Sequence, residues 1–328
     1  MLVALAGGVG AARLLAGMVQ LVDPAGITAV VNTGDDMVLH GLHISPDLDT
    51  ITYTLAGIAN PEAGWGIAGE SWVVMEELEK LGGAAWFRLG DRDLATHLYR
   101  TQRMTEGATL STVTSEIGRA RGIGVNLVPM SDDVVRTMLV ADTSSRSSDQ
   151  ESQVAGAQEV GDAQREISFQ EYFVKHRHGI PVRSIRFAGA SRARPAPGLL
   201  EAIAGATAIV VCPSNPLLSI APIMAVTELR EAVSARREHV VAISPIVAGT
   251  ALKGPADRLL IEMGHESSAA GVARLYAPWC STLVIDSRDE ALIPAVEALG
   301  MRCVVTDTIM STPARAAELA KVVLDAVR

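Results

Sequence analysis

"LVALAGGVGAARLL", residues 2–15, decides the fold: an apolar run, three glycines and an apolar helical stretch follow one another without a break. Leu2–Leu5 reads as a buried strand, Gly7, Gly8 and Gly10 as a tight turn, and Ala11–Leu21 as a helix. Ile27–Val31 then reads as a second buried strand, which completes a βαβ unit of the usual length. Backbone N–H groups in such a turn, together with the positive end of the helix dipole, make a phosphate site that glycine leaves open to close approach. The pattern departs from the dinucleotide fingerprint. Arg13 stands where the third glycine belongs, and Asn32 follows the second strand in place of an acidic residue that would take a ribose. A nicotinamide-dependent oxidoreductase would therefore rest on fold analogy alone.

Working outward, "ATAIVVCPSNP" (206–216), "EHVVAISPIVAG" (238–249), "CSTLVIDS" (280–287) and "MRCVVTDT" (301–308) are four further short β-branched runs that end in polar, Gly or Pro residues. They are mostly separated by helical stretches, so they read as parallel strands of one sheet. Residues 88–190 have a different character. Helices are expected at Asp91–Thr105 and Leu110–Arg121, then alternating runs at "GVNLVPM", "VVRTMLVAD" and "EISFQEYFV". The Ser-, Gln- and Glu-rich segment between the last two, about 144–166, lacks apolar residues to order it and is expected to be a mobile loop. The architecture read from this pattern is α/β: a Rossmann-like, doubly wound parallel sheet from residues 1–87 and 191–328, with an inserted α+β subdomain at 88–190. Ligands of such sheets bind beyond the carboxyl ends of the strands, near the switch in strand order.

The bulk numbers agree with an α/β fold. Of 328 residues, 48% are hydrophobic and only 4% aromatic, a composition suited to parallel strands covered by helices. A net charge of −9 opposes a general nucleic-acid or anionic-membrane surface. Cys212, Cys280 and Cys303 are odd in number and widely spaced, which predicts neither disulfides nor a zinc knuckle and fits a reducing cytoplasm. The opening residues lack the basic region of a signal peptide, and no apolar run reaches the length of a membrane span.

"VVNTGDDMVLHGLHISPDLDT" (30–50) sets Asp35, Asp36, Asp47 and Asp49 within fifteen residues at one end of an apolar core. Helix capping accounts for one aspartate and solvent exposure for another, but not for four. Hard carboxylate oxygens suit Mg²⁺, which takes one or two of them and completes its shell with phosphate oxygens and water. The nearby His40 and His43 have no further nitrogen or sulfur ligand beside them and read as ordinary loop histidines. "FRLGDRDLATH" (87–97) gathers Arg88, Asp91, Arg92, Asp93 and His97 around a helix start, with Asp91 as a possible N-cap. "PMSDD" (129–133) reads as a turn or a ligand loop. In "CPSNPLLSIAPI" (212–223) two prolines hold Ser214 and Asn215 in fixed display, and "AISPIVAGTALKGPAD" (242–257) repeats the device with Ser244 and adds Lys253. Neither a hydrolase nucleophile elbow nor a Walker P-loop occurs.

Taken together, "GGVGAARLL", "VVNTGDD…LHISPDLDT", "LGDRDLATH", "PMSDD", "CPSNPLLSI" and "ISPIVAG…KGPA" resemble the CofD/FbiA family, the 2-phospho-L-lactate transferases of coenzyme F-420 biosynthesis. The resemblance is collinear to about Asp307. It implies transfer of a phosphorylated three-carbon acid, phospholactyl or phosphoenolpyruvyl, from a guanosine diphosphate-linked donor to the deazaflavin Fo, with release of GMP. It also implies a Mg²⁺ requirement and a homodimer. By this resemblance Asp49 and Arg88, with Asp91 beside them, fall on the Fo-binding positions. Gly7, Gly8, Gly10, Asn32, Ser214, Asn215 and Ser244 fall on the nucleotide side. Asp35, Asp36 and Asp49 are then the expected metal ligands, and Asp49 or Asp47 the group that orients the attacking hydroxyl. The loop "GGVGAAR" departs from the Thr and Pro-Lys of many archaeal-type members. A regulatory nucleotide-sugar-binding protein of the same superfamily, the gluconeogenesis-factor branch, is the competing expectation.

Overall fold

The computed structural model describes residues 1–62, 64–142 and 164–327. Seven parallel strands form the central sheet: β1 (Leu2–Ala6), β2 (Ile27–Val31), β3 (Asn126–Pro129), β4 (Ala208–Val211), β5 (Val240–Ile243), β6 (Thr282–Asp286) and β7 (Arg302–Thr306). Their spatial order is β7-β6-β5-β4-β1-β2-β3, so the chain reverses direction across the sheet between β1 and β4. That reversal is the doubly wound switch point, where the loops after the two strands diverge and leave a crevice.

Successive side chains of a strand point to opposite faces, and both faces here are apolar. Val3 and Leu5 join one core with Ile209, Val211 and Leu283, while Ala4 and Ala6 join another with Val210, Ile243 and Val284. Helix α1 (Gly8–Met18) and the C-terminal helix Pro313–Ala326 cover the second of these faces. Helices Leu199–Ala204, Thr227–Ser234 and Ala269–Tyr276 cover the first. Gly17 is where α1 meets the C-terminal helix: a Cβ there would lie 2.3 Å from the Ala316 carbonyl oxygen.

After β2 the chain makes a short hairpin, Met37–Leu39 with Leu42–Ile44, turned by His40 and Gly41 at positive φ. Then follow α2 (Pro46–Leu55), α3 (Val73–Lys80), α4 (Asp91–Thr105) and α5 (Leu110–Ala120). The two helices expected after residue 88 are present, but they do not open a separate subdomain. They lead into β3, which pairs in parallel with β2 at the edge of the central sheet, Thr28 opposite Asn126. The expected boundary at residue 88 is therefore corrected. Leu127, Val128 and Pro129 are all buried, a continuous apolar run that belongs on a covered parallel sheet.

What is inserted is a smaller antiparallel sheet, Arg136–Asp142 between Gln164–Ser168 and Val182–Ala188. The strict alternation of Arg136–Asp142 matches one covered face, where Leu139, Ala141, Ile167 and Val182 pack with Leu218 and Leu259 of the main body. The run "EISFQEYFV" leaves the strand at Ser168 and continues as a helical turn over Glu171–Lys175. Most of the loop expected at 144–166 lies outside the described residues, and its last three residues begin the strand Gln164–Ser168. Among the described residues no helix is long and apolar enough to cross a membrane.

Gly17→Ala is expected to lower stability by about 1–3 kcal/mol through overpacking between α1 and the C-terminal helix. Catalytic constants should stay near those of the native chain, because the contact is on the covered face. Thermal unfolding checks this, and an unchanged midpoint would refute the close helix contact.

Candidate active site

At the switch point the carboxyl ends of β1, β2, β4, β5 and β7 open into one cavity of about 660 Å³. The glycine turn lines its floor. Gly8 takes φ +68°, a conformation open to glycine, and Gly10 lies so close to the loop after β4 that a Cβ would sit 2.3 Å from the Pro213 carbonyl oxygen. Ser214 ties the same loops together by donating from its hydroxyl to the Gly7 carbonyl at 2.8 Å.

The aspartates surround this floor. Asp47 and Asp49 both lie in the first turn of α2, yet two residues of helix rotate them apart by about 200°. Asp47 turns to the glycine loop: it accepts from Asn32 Nδ2 at 2.9 Å and from the Gly8 backbone N–H. Asn32 is in turn fixed by accepting from the Gly34 N–H at 2.8 Å. Asp49 turns to α4, where the Arg100 guanidinium grips both of its oxygens, one contact at 3.1 Å. Asp36 accepts from the Ser45 hydroxyl at 2.7 Å. Asp35 lines the cavity, and its Oδ1 is buried with no hydrogen-bond partner.

Burial dominates the electrostatics. It drives the Asp35 carboxyl well above the usual range, assisted by the neighbouring Asp47 and Asp36 charges. Burial also pushes Asp36 up to about 7, against the pull of Ser45, Arg100 and Arg136. Asp47 is pushed up to about 6 by the same cause, less what Asn32 and the Gly8 N–H give back. Asp47 already fills part of the anion site made by the glycine turn, so a phosphate arriving there meets negative charge.

Helix α4 carries a second polar group on one face. Asp93, His97 and Arg100 are spaced i, i+4, i+7 and dock on Asp49 and Tyr53 of α2. Tyr53 donates to Asp93 Oδ1 at 2.5 Å, His97 Nε2 lies 3.2 Å from Asp93 Oδ2, and His97 Nδ1 lies 3.7 Å from Asp49 Oδ2. Asp49, Tyr53, Asp93 and His97 all line the cavity, and Arg100 stands behind them, 2% exposed. Aromatic side chains form another part of the wall. Phe, Tyr and Trp number four each in the chain, yet Tyr53, Trp65, Phe87, Phe169 and Phe173 all face this space. Phe169 and Phe173 stack at 5.3 Å, on the turn that follows the strand Gln164–Ser168.

The profile of the 2-phospho-L-lactate transferase CofD family matches residues 2–323. The chain belongs to the CofD family. Phosphoenolpyruvate transferases of Kitasatospora aureofaciens and Streptomyces griseus are each 43% identical over 326 residues, covering 98% and 99% of this chain and 96% and 97% of theirs. A crystal structure of a UPF0052-family protein from Bacillus halodurans superposes with a TM-score of 0.59 over 98% of both chains, at 14% identity, a likeness of fold. CofD membership and these relatives make the protein a phosphotransferase.

For a CofD-family site, the residues expected from the sequence divide unequally. Gly7, Gly8, Gly10, Ser214, Asn215, Ser244, Asp35, Asp47, Asp49 and Arg88 all line the cavity. Arg88 is exposed there, with its guanidinium 4.8 Å from the Trp72 ring centroid. Asn32 does not reach the cavity and instead orients Asp47. The Asn215 oxygen caps the following turn through the Leu217 and Leu218 N–H groups, and the Ser244 hydroxyl is spent on Ile246. Asp91 is corrected. Its carboxylate caps α3, accepting from the Val73 and Val74 N–H groups and the Ser71 hydroxyl, away from the cavity. Asp93, two residues further along α4, is the one that faces it.

The expected metal trio of Asp35, Asp36 and Asp49 is also corrected. Among the described residues no group of three His, Cys, Asp or Glu side chains is arranged to hold a metal ion. Asp49 is committed to Arg100 and Asp36 lies outside the cavity lining, which leaves Asp35 and Asp47 as the facing pair. Arg100 was not legible as a site residue, though its i+7 spacing from Asp93 was a usable signal.

A carboxyl raised by burial binds its proton more tightly folded than unfolded. Its stabilising contribution is therefore present near pH 4 and is lost as pH rises through about 6 for Asp47 and about 7 for Asp36. Without divalent cations, Asp47→Asn should be more stable than the native chain at pH 7.5 by on the order of 2–3 kcal/mol, the gap closing toward pH 4. Urea unfolding across that range checks it, and parallel curves for the two proteins would contradict it.

Proposed function

We propose that the protein transfers a phosphoenolpyruvyl group from a guanosine diphosphate-linked donor to a side-chain hydroxyl of the deazaflavin Fo, releasing GMP, in coenzyme F-420 biosynthesis. The observation that carries this reading is one cavity in which a glycine phosphate turn and buried carboxylates meet an aromatic wall. A diphosphate suits the first end, and a flat tricyclic ring with a hydroxylated chain suits the second. The names of the relatives favour phosphoenolpyruvate over phospholactate as the transferred acid.

In this reading Asp35 and Asp47 hold Mg²⁺, and Ser214 and the Gly7–Gly10 turn shape the donor's phosphate end. When bound, the ion supplies charge neutralisation at the diphosphate and at the phosphorus under attack. Asp49, held by Arg100, accepts a hydrogen bond from the attacking hydroxyl and points its oxygen at the phosphorus that bears the three-carbon acid. The hydroxyl oxygen forms the new P–O bond, the bridging P–O bond of the diphosphate breaks, and GMP leaves with the electron pair. The hydroxyl proton passes to a carboxylate and then to solvent. Phe169 and Phe173 pack on the ring and exclude water from the reacting end. The homodimer implied by the family resemblance belongs to the same proposal, and light scattering tests it.

Incubation of Fo with each guanylated three-carbon donor in turn, read by mass spectrometry, should give product chiefly with the phosphoenolpyruvyl donor, as the phosphoenolpyruvyl diester and GMP in equal amounts. Chelation of divalent cations should abolish turnover, and Mg²⁺ should restore it. Calorimetric titration with Mg²⁺ and GDP should lose the cation's contribution in Asp35→Asn. Binding of guanine nucleotides with no binding or turnover of Fo would favour the regulatory reading instead.

A further inference from the structure

The motif "GDRDLATHLYR" (90–100) contributes more than the cavity wall. Arg100 is the largest fully buried side chain in the described molecule and does not itself line the cavity. Its NH1 reaches Asp49 Oδ2 at 3.1 Å, the His43 carbonyl at 3.3 Å and His97 Nδ1 at 3.3 Å, while NH2 takes Asp49 Oδ1. A guanidinium only donates, so the contact with Nδ1 leaves the His97 proton on Nε2, toward Asp93. Asp93 is held from its other side by Tyr53.

Two helices can be joined by apolar residues at least as well as by a buried ion pair, whose desolvation cost commonly offsets its attraction. Here the pair is asymmetric: the carboxylate is at the cavity and the cation is wholly behind it. We propose that Arg100 is a positioning residue for transfer, acting through Asp49. It presents that carboxylate to the acceptor in one orientation, and His97 and Asp93 extend the same array toward a hydroxylated chain. This rests on the functional reading above. A two-point grip fixes both oxygens of Asp49, so the hydroxyl that hydrogen-bonds to it is aimed at the donor phosphorus, and a misplacement of about 1 Å costs about 100-fold in rate.

The test is a double-mutant cycle on the full chain, with GDP affinity and unfolding temperature measured beside the kinetics. Arg100→Met should lower kcat/KM for Fo about 100-fold with GDP affinity unchanged, because the donor end does not touch Arg100. Arg100→Lys, a single-point partner, should recover part of the loss. In the Asp49→Asn background, Arg100→Met should cost little more, since residues acting as one unit are not additive. The Asp49→Asn variants carry no unpaired carboxylate at that position, so they keep the cycle readable if Arg100→Met alone does not fold. In that case the comparison is made between Asp49→Asn and its double variant, with Arg100→Lys in the native background. Full activity of a folded Arg100→Lys and Arg100→Met, or an equal loss in both backgrounds, would overturn the assignment and leave Arg100 as packing. A native chain that binds GDP but never turns over Fo would instead sink the functional reading, and this proposal with it.

Discussion

Negative charge buried at the end of a parallel sheet is the constraint on which the rest of the site depends. Four carboxylates lie within or beside an apolar core, and each has to be compensated or forced toward protonation. Asp49 is compensated by Arg100, and Asp36 in part by Ser45 with Arg100 and Arg136 nearby. Asp47 leans on Asn32 and the N-terminus of α1. Asp35 has a buried oxygen with no hydrogen-bond partner. Stability alone would replace these residues. Their presence at a cavity makes sense where bound ligands complete the balance.

The fold meets that need by geometry. Strand order reverses between β1 and β4, so their loops part and expose the α1 N-terminus. The hairpin at Met37–Ile44 and helix α2 bring a second set of carboxylates back over it. The inserted sheet closes the other side and is tied to the carboxylate turn: the Thr137 N–H donates to the Gly34 carbonyl at 2.7 Å, and Gln170 Nε2 donates to the Asp35 carbonyl at 3.3 Å. The inserted sheet and the aromatic turn at Phe169–Phe173 are therefore anchored to the backbone turn that carries Asp35.

One pair of residues illustrates how helical phase divides labour. Asp47 and Asp49 differ by two positions, and about 200° of rotation sends one to the phosphate end and the other to the acceptor end. The "DRD" triplet repeats the device: Asp91 caps α3 while Asp93 enters the cavity. Two like residues so close in sequence carry no label saying which is structural, and only the direction of the helix axis separates them.

From the sequence alone, the apolar run, glycine turn and helix of residues 2–15 determined a doubly wound parallel sheet, because period and turn chemistry are local properties. The crowding of Asp35, Asp36, Asp47 and Asp49 likewise determined where charge would gather. Tertiary structure decided the rest. It moved Asn126–Pro129 from an inserted unit to the edge of the main sheet, since strand partners are set by long-range pairing. It withdrew Asp91 and Asn32 from the ligand surface, committed Asp49 to a buried arginine fifty-one residues away, and left Asp35 and Asp47 together at the cavity. Which carboxylate is neutralised from within the chain and which is left for a ligand depends on the packing of α4 against α2, and no local pattern encodes that distance.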